Sequence, residues 1–329
     1  MKSKKSILKW ILWMFVLAFI AGIMWLVHAG TADPKSAFDL DKTKRMSFSE
    51  DELTAQNAIA NRVNVLLIGA DISEERLTSD REDYRSDVLL LISIDFDNKR
   101  ADLISVPRDS YAPVYNTTGK WKINAAFAKG GGFKDQGPQY AMKTVSNLLC
   151  GIPVNYYVGV DMNSLVDVID AIGGVDYEVD VRIKLNGRIL NKGVQHLDGQ
   201  QVLDYCRARK QISTDIGRND RQQRMLITVF NELKEKDRLI DLAKIYQSMD
   251  DKIYSNLSLK QVIALVMFCK KIETEDISRY TLKGKYKDIY GANFYLLDMQ
   301  YKNDIVKEIF GVEGAIDPKY DVNHILGKK

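Results

Sequence analysis

Residues Trp10–Val27 read WILWMFVLAFIAGIMWLV, eighteen positions without a charge. At about 1.5 Å rise per residue a helix of that length covers roughly 27 Å, close to the hydrocarbon thickness of a bilayer. Such a run is too apolar for the face of a surface helix and longer than the core of a cleavable leader. Trp10, Trp13 and Trp25 lie toward its ends, where indole favours the membrane interface. Lys2, Lys4, Lys5 and Lys9 stand before or at its start, and no acidic residue occurs up to Val27. The positive flank is expected to stay cytoplasmic. The expected organisation is therefore a cytoplasmic tail (1–9), a retained transmembrane anchor (10–27), an extracytoplasmic tether with a short helix (28–61) and one outer domain (62–329). The cell membrane is the expected location.

The formal charge of +3 comes from that anchor flank, and the remainder of the 329 residues is nearly neutral. A neutral body gives no basis for bulk nucleic-acid binding. The cysteines, Cys150, Cys206 and Cys269, form no CxxC or Cys/His metal pattern, and their odd number closes no disulfide framework. They read as core thiols. His28, His196 and His324 are too scattered for a metal site or a Ser-His-Asp triad.

Beyond the tether, Ser49 and Glu52 have capping-box spacing, predicting a short helix to about Ala60. Val63–Ile68 is an apolar run closed by Gly69, and Val88–Phe96 is another. Asp97-Asn98-Lys99 has turn character, and Ala101–Val106 reads as the returning strand. Further strands are expected at Tyr156–Val160 and Val175–Val181. Helical patterns cover Gln139–Leu149, Asn163–Ile172, Gln200–Tyr205, Arg218–Lys234, Lys260–Cys269 and Asp304–Phe310. Interleaved strands and helices without a linker predict an α/β fold, layered α-β-α around a central mixed sheet.

Three local features stand apart. Asp71, in IGAD, lies two residues past the end of a strand, where α/β sheets bind ligands. Asp87, in Arg85-Ser86-Asp87, precedes the next strand. If the two strands are neighbours, these carboxylates meet at one sheet end, and two carboxylates with phosphate oxygens suit Mg²⁺. The plainer reading is a pair of turn or capping aspartates. The third feature is basic: Arg207 and Arg209, then Asp215, Arg218, Arg221, Gln222 and Arg224. An extended 207–209 segment would put Arg207 and Arg209 on one face. Arg218 and Gln222 share a helix face in or just after a first turn, which already favours anions. Guanidinium forks match phosphate oxygens. The alternative is a solvated helix face paired with Asp215 and Asp220. Arg108 lies just past another strand end, with a salt bridge to adjacent Asp109 as its structural reading. The chain has no GxxxxGK[ST] loop, HExxH or GxSxG elbow. Gly130-Gly131-Gly132 alone is a weak phosphate signal.

In order and spacing, eight segments resemble the LytR-CpsA-Psr family of cell-wall glycopolymer ligases. They are NVLLIGAD (64–71), RSDVLLLISID (85–95), ISVPRDSY (104–111), KINAAFAKGG (122–131), GIPVNYYVGVD (151–161), VDVIDAIGGVDYEV (166–179), HLDGQQVLDYCRAR (196–209) and DIGRNDRQQRML (215–226). The resemblance covers about residues 62–235 and fades after Lys236. It implies a phosphotransferase that binds a polyprenyl-pyrophosphate lipid carrier in an apolar pocket. Such an enzyme moves the attached teichoic acid or capsular polysaccharide onto a peptidoglycan hydroxyl. Asp71 and Asp87 fall on the positions that hold Mg²⁺. Arg85, Arg108, Arg207, Arg209, Arg218 and Gln222 fall on those that hold or organise the pyrophosphate, and Asp215 on an acidic position beside them. Of these, Arg108, Arg207, Arg209, Asp215 and Arg218 are the expected catalytic set. Two departures stand out: Cys206 replaces a small aliphatic residue, and the segment from Asp71 to Asp87 is long and charged. The competing readings are a polyprenyl-pyrophosphate hydrolase, a membrane-bound transcription attenuator and a non-catalytic lipid-binding protein. The short cytoplasmic tail leaves no room for a DNA-reading helix.

Overall fold

The computed structural model describes residues 34–38, 62–70, 85–119, 121–185, 187–208, 215–249, 252–289 and 291–327. The expected anchor at 10–27, the capping box at Ser49, and the residues Asp71 and Arg209 lie outside them. Among the described residues no helix is long and apolar enough to cross a membrane.

The apolar runs with turn residues between them form a hairpin. Strand β1 (Arg62–Ala70) pairs antiparallel with β2 (Ser86–Asp95), which turns back into β3 (Arg100–Ser105). The turn closes because the Asp95 carboxylate accepts from the amides of Asp97 and Asn98, at 3.1 and 3.0 Å. Lys99 takes the left-handed φ of 50° that lets the chain reverse. Strand β1 does not stop at Gly69 as expected; it runs through Ala70, with an irregularity in register between the two.

Past β3 a small ladder joins β4 (Tyr111–Ala112) to β5 (Trp121–Lys122), and helices α1 (Ala125–Lys129) and α2 (Gly137–Leu148) follow. Strand β6 (Tyr156–Asp161) pairs parallel with β1, and its last residue accepts the Ser164 amide to cap α3 (Met162–Ala171). Next come β7 (Val175–Val179), the β8–β9 hairpin (Ile183–Leu185, Arg188–Leu190) and β10 (Gly193–Leu197). The strand expected at 175–181 thus pairs with β10, away from the main sheet. Helices α4 (Gly199–Arg207), α5 (Asp215–Glu235) and α6 (Leu239–Ser248) precede β11 (Ile253–Ser255) and α7 (Leu259–Cys269). The chain then forms β12 (Ile277–Thr281), the β13–β14 hairpin (Gly284–Ile289, Ala292–Leu297), α8 (Met299–Phe310) and α9 (Val322–Gly327). Helix α8 starts five residues before the expected Asp304, because Asp298 caps it through the Tyr301 amide at 3.0 Å.

The main sheet has the order β11-β6-β1-β2-β3-β12, with parallel β1/β6 and β3/β12 pairs in an otherwise antiparallel arrangement. Alternation along β1 divides its side chains between two cores. Leu66 and Ile68 pack with Leu91, Ile104, Val145 of α2 and Val306 of α8. Val63 and Val65 pack with Ile94, Phe96 and, from α7, Ala264 and Phe268. Both faces are covered, which is the expected α-β-α layering around a mixed sheet. Gly159 is required at one close approach: a Cβ there would sit 2.1 Å from the Phe133 ring. That ring stacks on Tyr254 at 4.4 Å.

A buried ion cluster fastens the opposite end of the hairpin. Arg62 reaches Asp95 at 3.0 Å and Asp102 at 2.8 Å, and donates to Ser93 Oγ at 3.1 Å.

Candidate functional site

The strand directions gather several chain segments at one sheet end. Strands β1 and β3 finish there, and β2 starts there, with Ala70 opposite Ser86. Asp71 follows Ala70 directly in sequence, and Asp87 follows Ser86. Asp87 is ion-paired to Arg108, three residues past the end of β3. The pairing expected for Arg108, with Asp109, is secondary at 3.8 Å, since Asp109 is held at 3.0 Å by Lys122 of β5. A carboxylate–guanidinium–carboxylate–ammonium chain, Asp87–Arg108–Asp109–Lys122, thus runs along this end.

Helix α5 is brought to the same end by Gln223. Its side-chain amide donates to Ser105 Oγ and to the Tyr280 carbonyl, both at 2.9 Å, and so touches β3 and β12. One turn earlier on this helix is Arg218, 4% exposed. Gln222 is half-buried, four residues after Arg218. Asp215 is the first residue of α5. Arg85 is exposed, immediately before β2.

Arg207 departs from the expected extended geometry. It is the last residue of α4, where Asp198 at the N-cap and Gln201 make a capping box. Ala208 leaves the helix, and Arg209 lies outside the described residues. Two other basic residues of this stretch are structural. Arg221, 1% exposed, donates to the carbonyls of Tyr205 at 2.6 Å and Ala208 at 2.7 Å, clamping the end of α4 onto α5. Arg224 pairs with Asp180 at 2.7 Å and Asp220 at 2.9 Å. For Arg224 the solvated-face reading holds, with Asp220 as foreseen. Burial works against its charge more than any single neighbour favours it, but the bond to Asp180 and the charges of Tyr177, Tyr205 and Asp180 together raise its pKa. Burial likewise opposes the Asp180 anion, yet Arg224 and the Tyr205 hydroxyl hold that carboxyl below its usual range.

The sequence reading missed several polar groups beside these residues. Ser86 Oγ, Asn124 Oδ1 and Asn219 Nδ2 are buried without a hydrogen-bond partner among the described residues. Asn124 donates its backbone amide to the Arg108 carbonyl at 3.1 Å, and Asn219 follows Arg218. Buried polar atoms are normally satisfied, so these three are unusual positions close in sequence to the charged residues. All three fall within the segments quoted above, and their proximity to the charged positions was the available signal. Asp87 is a hard oxygen donor at the sheet end and fits Mg²⁺. Among the described residues no cluster of three or more metal-ligating side chains forms a closed metal cage.

Residues 26–310 match the family described as LytR_cpsA_psr. The chain belongs to that family. The match extends the resemblance on both sides, well past Lys236 to the end of α8. Among curated members, the polyisoprenyl-teichoic acid–peptidoglycan teichoic acid transferase TagU of Bacillus mycoides is 31% identical over 309 residues. That alignment spans 93% of this chain and 97% of TagU. Of solved structures in the family, Bacillus subtilis TagV superposes with a TM-score of 0.66 at 26% identity, covering 77% of this chain and 99% of that one. TagT bound to LIIa-WTA superposes with a TM-score of 0.61 at 26% identity, covering 82% and 96%.

Proposed function

We propose that this protein is a glycopolymer–peptidoglycan phosphotransferase that takes a polyisoprenyl-linked teichoic acid, or a related wall polymer, as donor. The end-to-end match to transferases of that name carries the reading. The charged sheet end, with Arg108 beside Asp87 and Arg218 on α5, supplies its chemistry.

The donor is a diphosphate, so charge must be offset both on the reacting phosphorus and on the leaving lipid phosphate. Arg108, fixed by Asp87, presents a guanidinium preorganised for phosphate oxygens. Arg218, Arg207, Arg209, Arg85 and Gln222 are proposed to contribute the remaining donors, with Asp215 orienting the arginines. A peptidoglycan hydroxyl oxygen attacks the sugar-proximal phosphorus and passes its proton to a carboxylate of the site. The bond from that phosphorus to the bridging oxygen breaks, and polyprenyl phosphate leaves with the electron pair. Asp71 and Asp87 are the proposed Mg²⁺ ligands; the bound ion would offset phosphate charge. A positioned donor of this type is worth about 10²–10³ in rate. The anchor at residues 10–27 would hold the domain at the outer face of the cell membrane, where lipid-linked donors reside.

Purified protein, a short-chain lipid-pyrophosphate donor and peptidoglycan oligomers test this directly. Wild type is expected to join polymer to glycan, and Arg218→Ala, checked for its fold by circular dichroism, to lose at least about 10²-fold. Polymer released into solution with none on glycan would favour the hydrolase. Full transfer by a folded Arg218→Ala protein would remove that residue from the site.

A further inference from the structure

Lys302 is 2% exposed, on the face of α8 turned into the main core. Burial of an ammonium is costly unless a counter-charge or strong acceptors meet it. No carboxylate pairs with Lys302 among the described residues; its Nζ points at Cys150 Sγ, 3.2 Å away. Cys150 lies two residues past the end of α2, with φ at +60°. Only glycine takes that conformation without cost. The turn thus carries a strained side chain whose sulfur also meets Asn303 Oδ1 at 3.5 Å. Gly314 makes room for it, since a Cβ there would lie 2.2 Å from Sγ. Cys206 and Cys269 lie in apolar surroundings, and burial pushes both thiols up to about 12. Cys150 is partly exposed and beside a cationic group, the setting in which cysteines react.

We propose that Cys150 and Lys302 form an oxidation site that closes into a covalent sulfur–nitrogen link between the end of α2 and α8. A peroxide is the oxidant. Its O–O bond breaks as the sulfur takes one oxygen, giving a sulfenic acid and one water (from hydrogen peroxide). The hydroxide released from the peroxide becomes that water by taking one proton from the Lys302 ammonium, and the lone pair so freed attacks Sγ. The S–O bond breaks, and hydroxide leaves with an Nζ proton as a second water. Sulfur is oxidised by two electrons and the peroxide is reduced by two. Sulfenic acids condense with nearby nitrogen in this way to sulfenamides.

The full-length protein is treated with hydrogen peroxide, digested with trypsin and read by tandem mass spectrometry. The expected product joins the Cys150 and Lys302 peptides, lighter by two hydrogens than their sum. Cleavage after Lys302 is lost, and dithiothreitol restores it. Cys206 and Cys269 remain thiols in the same sample, and Cys150→Ser and Lys302→Arg give no link. Recovery of Cys150 as thiol, sulfinic or sulfonic acid with complete cleavage after Lys302 overturns the proposal. So does a link that retains oxygen. The wild-type digest alone decides, so a variant that fails to fold does not blunt the test.

Discussion

Arginines of this chain serve opposite purposes, and burial together with partners separates them. Arg221 spends its guanidinium on two backbone carbonyls at the junction of α4 and α5, while Arg108 presents its own to the sheet end beside Asp87. Lysine is a poor substitute for a planar fork at a phosphate site. Arg108→Lys is therefore expected to keep the fold and lose about 10²-fold in transfer, read as kcat with a lipid-pyrophosphate donor. Arg62 is the structural counterpart. Removing one member of a buried ion cluster leaves the others uncompensated, at about 3–5 kcal/mol. Arg62→Met, facing Asp95 and Asp102, should fall by that amount in urea unfolding, with the transfer rate per folded molecule unchanged. At this scale the sequence was a partial guide. Residue type and spacing picked out Arg108, Asp87 and Arg218, but not which arginines turn inward. Arg221 and Arg224 are three apart on one helix, and their fates depend on carbonyls and carboxylates from distant segments.

At the scale of elements, apolar runs located β1, β2, β3, β6 and β7 and the longer helices α2, α3, α4, α5, α7 and α8 to within about five residues, because buried runs are local signals, while the other, shorter or edge strands were not read. Pairing was less legible. Strand β7 joins β10 instead of the main sheet, and nothing in its alternation reveals its partner. The turn between α3 and β7 depends on His196 of β10, whose two ring nitrogens face Asp176 Oδ1 at 2.7 Å and the Gly173 carbonyl at 2.9 Å. Both neighbours are acceptors, so the doubly protonated ring fits best. The bond to Asp176, foremost, and that to Gly173 raise its pKa above the ordinary 6.5, with desolvation opposing them. A raised folded-state pKa contributes stability that is fully present below about pH 6.5 and is lost as pH rises through the raised value. Thermal midpoints of wild type should therefore decline over that interval relative to His196→Gln, which should lack the step. The effect is small because the pair is largely exposed.

Over the whole molecule, the layering followed from interleaved apolar periods, but the gathering of the charged segments did not. Asp87, Arg108 and Arg218 span more than a hundred residues of sequence. Asp87 and Arg108 meet because β3 ends where β2 begins, and Gln223 ties α5, the helix that carries Arg218, to β3 and β12. The proposed Mg²⁺ dependence belongs at this level, since its ligands come from separate strands. Chelation with EDTA is expected to abolish transfer and Mg²⁺ to restore it, with little change in the melting curve. Persistence of transfer in EDTA would exclude the ion.

The Gln223 side chain gives this arrangement a mechanical property. A single amide ties α5 to β3 and to the outermost strand at once. A tilt of the helix on polymer capture must therefore tug the Tyr280 carbonyl at the sheet's margin. The Tyr280–Thr281 peptide becomes a remote gauge of occupancy, legible as a resonance displacement in a spectrum of the labelled backbone, far from any phosphate.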